Sequence, residues 1–157
     1  MRRIATALGL LLLMSVPAFA QKEFERTAAE RRTIGDCIDK TAGDSELEQM
    51  SKCIGLVADP CPNAPNSNTF TIVAYNMREQ KIWAERLVRP GAGSQLKDDA
   101  ATAGAIKDAQ RAWIQFRDAK CGYWEKRYEG GTFASVAAGN CTQIETGAHA
   151  RDARHLR

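Results

Sequence analysis

The sequence predicts a small all-α domain of four to five helices, stapled by disulfides. Three observations predict it. Apolar residues recur at three- and four-residue steps through successive segments, and no stretch shows strong period-two alternation. Clusters of proline and glycine separate those segments. All five cysteines follow a leader of the kind that directs export, so they are disulfide candidates before they are metal ligands or nucleophiles. The chain has 157 residues, 44% of them hydrophobic and 26% charged, which fits one globular domain.

The leader is Met1 to Ala20. Arg2 and Arg3 form a positive head, Ile4 to Met14 is an apolar run, and Pro17 breaks it before Ala18-Phe19-Ala20. Small residues at the two positions a signal peptidase reads place cleavage before Gln21. The run is short for a membrane span of about 20 residues, and no second run of that kind follows. The expected mature chain, residues 21–157, is a single domain in a bacterial periplasm or the medium. Formal charge is +3, of which the leader arginines supply two, so the mature chain is near neutral. Bulk attraction to nucleic acid is therefore not expected.

Residues 22–40 read as a first helix, with Phe24, Ala28, Arg31, Ile34 and Ile38 in step. Thr41 to Asp44 is a turn. Ser45 with Glu48 forms a capping box, and Leu47, Met50, Ile54 and Val57 give the next stripe. Pro60 to Asn68 is a loop holding three of the five prolines and Cys61. An ordered loop on a rigid scaffold is a place where recognition sits, although a plain connection is the commoner role. Thr69 is positioned to cap a helix to Val88, whose core face would be Phe70, Val73, Met77, Ala84 and Leu87, widened by Ile72, Ile82 and Trp83. Pro90, Gly91 and Gly93 end it.

The strongest helical pattern runs from Leu96 to Tyr128, through Ile106, Ala109, Trp113, Phe116, Cys121, Trp124 and Tyr128. Gly104 weakens its early part. At this spacing the aromatics are expected to pack in the core rather than to meet a ligand. Gly130-Gly131 terminates it. A last helix from Phe133 carries Val136, Ala137, Cys141 and Ile144, and the polar tail from Gly147 to Arg157 is expected to fray.

No constellation points to catalysis or to a cofactor. No C-x-x-C occurs, and Cys53 and Cys61 are spaced unlike a zinc knuckle. The two histidines, His149 and His155, both lie in the tail expected to be mobile, which leaves a cysteine nucleophile without an evident base. P-loop, G-x-S-x-G and H-E-x-x-H motifs are missing, and nothing singles out a carboxylate pair such as Asp118 and Glu125 for glycoside hydrolysis. The chain is expected not to be an enzyme.

The run from Ala109-Gln110-Arg111-Ala112-Trp113 to Phe116-Arg117-Asp118-Ala119-Lys120-Cys121, then Gly130-Gly131-Thr132, then Cys141, resembles the LprI-like lysozyme-inhibitor family. The family core reads A-Q-R-x-W-x-x-[FY]-R-D-x-x-C, a Gly-Gly-[ST] turn and a later Cys. The resemblance is clearest over residues 96–157. It implies a small exported helical protein, and it implies that Cys121 pairs with Cys141. In the N-terminal half, Cys61, Thr69, Thr71, Glu79 and Trp83-Ala84-Glu85-Arg86-Leu87 follow the family order. Tyr75 stands where that order places a second half-cystine, and Arg89-Pro90 departs from the usual continuation. The expected pairing is then Cys121–Cys141 and Cys37–Cys53, with Cys61 a free thiol able to link two chains. The rival pairs Cys53 with Cys61 and leaves Cys37 free.

The resemblance implies an exported binding protein that inhibits c-type lysozyme by protein contact. The alternative is a structural or accessory envelope protein with no enzyme target. Lysozyme is basic, and a near-neutral chain offers it little steering unless acidic groups cluster locally. Asp98-Asp99 and Asp44–Glu48 are the candidate clusters.

Overall fold

A computed structural model describes residues 24–88 and 100–152. The expected leader, its cleavage point, the Leu96 helix start, Asp98-Asp99 and the last five residues lie outside the described residues, whereas the first helix begins at Ala28 and not at residue 22, because Thr27 caps it and residues 24–27 are not helical. Among the described residues there are five α-helices and no strand.

Helix α1 spans Ala28–Lys40 and α2 spans Glu46–Cys53. Each starts at a reciprocal capping box that satisfies backbone donors otherwise left open. Thr27 accepts from the Glu30 amide at 3.1 Å while Glu30 accepts from the Thr27 amide at 2.7 Å. Ser45 and Glu48 repeat the arrangement. Lys40 and Lys52 lie in the last turns, where positive charge complements the helix dipole.

A 3-10 turn at Cys61–Asn63 leads into α3, Thr69–Val88. The cap of α3 is Asn68 rather than the expected Thr69. Its Oδ1 accepts from the Thr71 amide at 3.0 Å, and Thr71 Oγ1 accepts from the Asn68 amide at 2.9 Å. Asparagine ranks above threonine at this position. Helix α4, Ala100–Arg127, runs through Gly104 without a break. Gly130, at φ 83°, turns the chain into α5, Phe133–Asp152. That backbone conformation is open to glycine and strained for other residues.

Helix α5 is the middle element, with α3 packed on one side and α4 on the other. The α1–α2 hairpin closes the remaining side. Ile34, Ile38, Cys53, Val57, Ile82, Trp83 and Ala150 form the core. Two ionic clamps tie α1 and the residues before it to α3. Glu85 receives Arg26 and Arg31, and Arg78 lies 3.0 Å from Glu30. Phe24 meets Phe70 edge-on at 5.2 Å between ring centres.

The packing reassigns several faces. Phe70 is half exposed; Ile82 and Trp83 are buried as expected, and the rest of the buried face of α3 is Ala74, Asn76, Arg78 and Glu79. Helix α3 is covered on more than one side, so its burial follows its neighbours and not its apolar stripe. The α4 aromatics expected in the core are largely outside it: Phe116 is 57% and Trp124 37% exposed. Helix α4 leans chiefly on α5, so one flank is covered and the rest is not. The expected fraying after Gly147 gives way to helix as far as Asp152, with Ala150 buried. Gly147 explains this. A Cβ there would stand 2.9 Å from Ile54 Cδ1 and 3.2 Å from Trp83 Nε1, so the bare glycine lets α5 close on the core. His149 is likewise no tail residue, for its ring stacks on Trp113 at 4.0 Å.

Cys37 and Cys53 stand at disulfide distance with Cα atoms 5.7 Å apart, and Cys121 and Cys141 do so at 5.5 Å. Cys61 lies in neither pair and is buried. Tyr75, where the family order places a cysteine, packs against the core and carries the Arg78 guanidinium 3.9 Å from its ring centre.

Candidate functional site

The site begins with a buried carboxylate. Glu79, on α3, has no solvent exposure. It accepts from the backbone amides of Gly55 at 2.6 Å, Val57 at 2.9 Å and Ala58 at 2.9 Å. It also accepts from Trp83 Nε1 at 3.1 Å and from Gln143 Nε2 at 2.8 Å. A carboxylate can be kept in an interior when its oxygens are this fully bonded. The result is structural: one side chain ties the segment after α2 to α3 and α5.

That segment places Asp59. Gly55 is at φ 98°, and the Asp59 carboxyl sits over it where a Cβ would otherwise be. The Asp59 amide donates to the Gly55 carbonyl at 2.8 Å. Partial burial, and then the charge of Glu79, hold the Asp59 carboxyl above the usual carboxylate range. Among the described residues no basic side chain forms an ion pair with it.

Asp59 lines two grooves at once. The larger, about 570 Å³, lies between the turn at Pro62, α3 and the α4–α5 hairpin. Trp124, Tyr128, Phe133 and Val136 supply its apolar wall. The smaller, about 300 Å³, is walled by Leu47, Met50 and Ile54. Ile144 also borders both, so the two form a single trough with Asp59 and Ile144 at its waist. Large apolar groups are exposed along it: Leu47 at 76%, Phe133 at 53% and Ile144 at 39%. Asn76 lines the larger lobe, is buried, and its Nδ2 has no hydrogen-bond partner.

Other charges nearby are already engaged. Lys120 pairs with Glu145 at 2.7 Å on the rim. In the Asp44–Glu48 cluster, Asp44 pairs with Lys52 at 2.8 Å and Glu48 serves the Ser45 cap. Pro62, from the loop named as a recognition candidate, contributes to the larger lobe. Asp59 was missed by sequence reasoning. Its only local signal is the Gly55-to-Pro60 break, which does not reveal a neighbour brought from another helix.

Residues 61–152 match the family described as lysozyme inhibitor LprI. The chain belongs to that family. The matched region takes in the 3-10 turn, α3, α4 and α5, and so holds Glu79, both members of the Cys121–Cys141 pair and most of the larger lobe. LprI is a family of inhibitors and not of enzymes. A relative in Rhizobium meliloti (strain 1021), described as an uncharacterized protein, is 30% identical over 149 residues, covering 90% of this chain and 85% of its own. No solved structure matches. Among the described residues no helix is long and apolar enough to cross a membrane. The disulfide-distance pairs fit an oxidising, extracytoplasmic compartment.

Proposed function

We propose that this LprI-family chain is an exported inhibitor of c-type lysozyme that acts by protein–protein contact from the periplasm or the medium. The observation that carries the reading, beyond family membership, is the uncovered apolar trough on the α4–α5 side. Contiguous exposed apolar surface rimmed by polar groups is characteristic of interaction sites. Aromatic side chains such as Trp124, Tyr128 and Phe133 are the kind that supply anchors at interfaces. The surface is concave, which suits receiving a partner's side chains.

The covalent dimer through Cys61 is not part of this reading. The thiol is 3% exposed, so a second chain would reach it only after the 3-10 turn opened.

The test is turnover of a cell-wall suspension by c-type lysozyme, with and without the mature chain. Stoichiometric loss of lytic rate supports inhibition. Unchanged lysis at a large excess, with no binding in a direct titration, refutes it and leaves the envelope accessory role.

A further inference from the structure

We propose that the trough centred on Asp59 is the docking site for a basic loop of the partner protein, with a lysine or arginine of that loop set against the Asp59 carboxylate and its apolar neighbours seated in the two lobes. This rests on the inhibitor reading and specifies its contact.

Asp59 stands at the waist of an apolar trough, beside a second carboxylate, with no basic group paired to it among the described residues. Partial burial and the Glu79 charge both disfavour its ionised form in the free protein. A cation arriving from outside relieves both effects. The other charges at the rim do not supply one, since Lys120 is held by Glu145.

The remaining features favour a protein loop over a sugar. Apolar side chains, among them Leu47, Met50, Trp124 and Phe133, make up much of the lobes and suit apolar side chains of a partner. Charge selects the class of partner. The Asp44–Glu48 cluster is consumed internally, and Asp59 is the acidic group that borders both lobes without an ion pair among the described residues.

The experiment is titration of the full mature chain with purified c-type lysozyme, comparing wild type with Asp59→Asn, Leu47→Asp and Ile144→Glu. Lys107→Ala is the control, about 20 Å along α4 from Lys120 at 1.5 Å per residue. Asp59→Asn is expected to weaken binding about tenfold, the loss of one charge-assisted contact. Ile144→Glu is expected to weaken it further, and the control is expected to bind as wild type. Melting temperature is read on every variant, and Asp59→Asn and Leu47→Asp alter exposed positions and are expected to fold. If wild type inhibits lysozyme and all three trough variants, folded, inhibit equally, the trough is the wrong surface while the inhibitor reading stands. If wild type itself neither binds nor inhibits, both fall. A concentration-dependent dimer abolished by Ile144→Glu, with lysozyme binding unchanged, assigns the trough to a second copy and overturns the proposal.

Discussion

Gln143 on α5 donates its side-chain amide to the Glu79 carboxylate on α3 at 2.8 Å, across 64 positions of sequence. Both residues are fully buried. The bond joins the two most extensively packed helices at the point where Glu79 also gathers the amides of Gly55, Val57 and Ala58. The shape of the trough depends on it, because the segment held by Glu79 carries Asp59.

Glu79→Gln is therefore expected to be costly despite its similar size. Five donors converge on Glu79, and glutamine offers one carbonyl oxygen and turns an N–H₂ toward them. The expected loss is about 3–5 kcal/mol. Urea unfolding measures it, and amide exchange at Gly55, Val57 and Ala58 should accelerate. A variant with the wild-type midpoint and slow exchange would contradict the assigned role.

Gly147→Ala sets two effects against each other. Alanine favours a helix over glycine by about 1 kcal/mol. Its methyl would press on Ile54 and the Trp83 indole at distances below ordinary contact, and overpacking costs about 1–3 kcal/mol. Ile54 is able to shift a terminal carbon, but the indole is held by its bond to Glu79. A net loss of about 1 kcal/mol is expected, seen as a lower melting temperature. A higher one would show that the interface has slack at this point.

The cysteine pairing is open to direct mapping. Non-reducing peptide mass analysis should recover Cys37 linked to Cys53 and Cys121 to Cys141. Cys61 should be alkylated only after denaturation, since the thiol is buried. The double change Cys121→Ser with Cys141→Ser should lower stability by about 3 kcal/mol, the chain-entropy value for a loop of this length. Recovery of a Cys53–Cys61 peptide would support the rival pairing.

Two carboxylates should respond to acid in opposite senses. Desolvation pushes Glu85 up, but hydrogen bonds and charge from Arg26 and Arg31 outweigh it and hold its carboxyl below the usual range. Its contribution is present above the unfolded-state value and is lost as pH falls through the folded one. Asp59 is held above its usual range by burial and Glu79. The folded chain then binds the proton more readily than the unfolded chain, so stability declines as pH rises through that window. Asp59→Asn should melt higher than wild type at pH 7, and Glu85→Gln lower. Both differences should shrink toward pH 3. Thermal melts across that range check the signs.

The elements were legible because their causes are local. The Ser45–Glu48 box, the proline-rich loop and the Gly130 turn act within a few residues and appear where they were read, while the first helix starts later and the second ends earlier than their apolar periods suggested. Asn68 displaced Thr69 as a cap because both residue types serve and one position decides. The buried faces were less legible. Trp113, Phe116 and Trp124 have core-like spacing, yet α4 has one principal neighbour, and the same period describes a helix that is half uncovered. Polar Glu79 and Gln143 read as surface residues in any window, since nothing local signals the donors that reach them from elsewhere.

By itself the sequence determined the all-helical class, the order and breaks of the helices, the candidate cysteine pairs and the family. Each rests on spacing, residue type or a motif carried within one stretch of chain. Only the tertiary structure decided that Glu79 is a buried hub, that Gly147 is a contact point, that Phe116 and Trp124 on α4 are exposed, and that Asp59 stands between two apolar lobes with no ion pair among the described residues. Burial and pairing are properties of neighbours. Those neighbours come from helices far apart in sequence, and the period of one helix does not specify how many others will cover it.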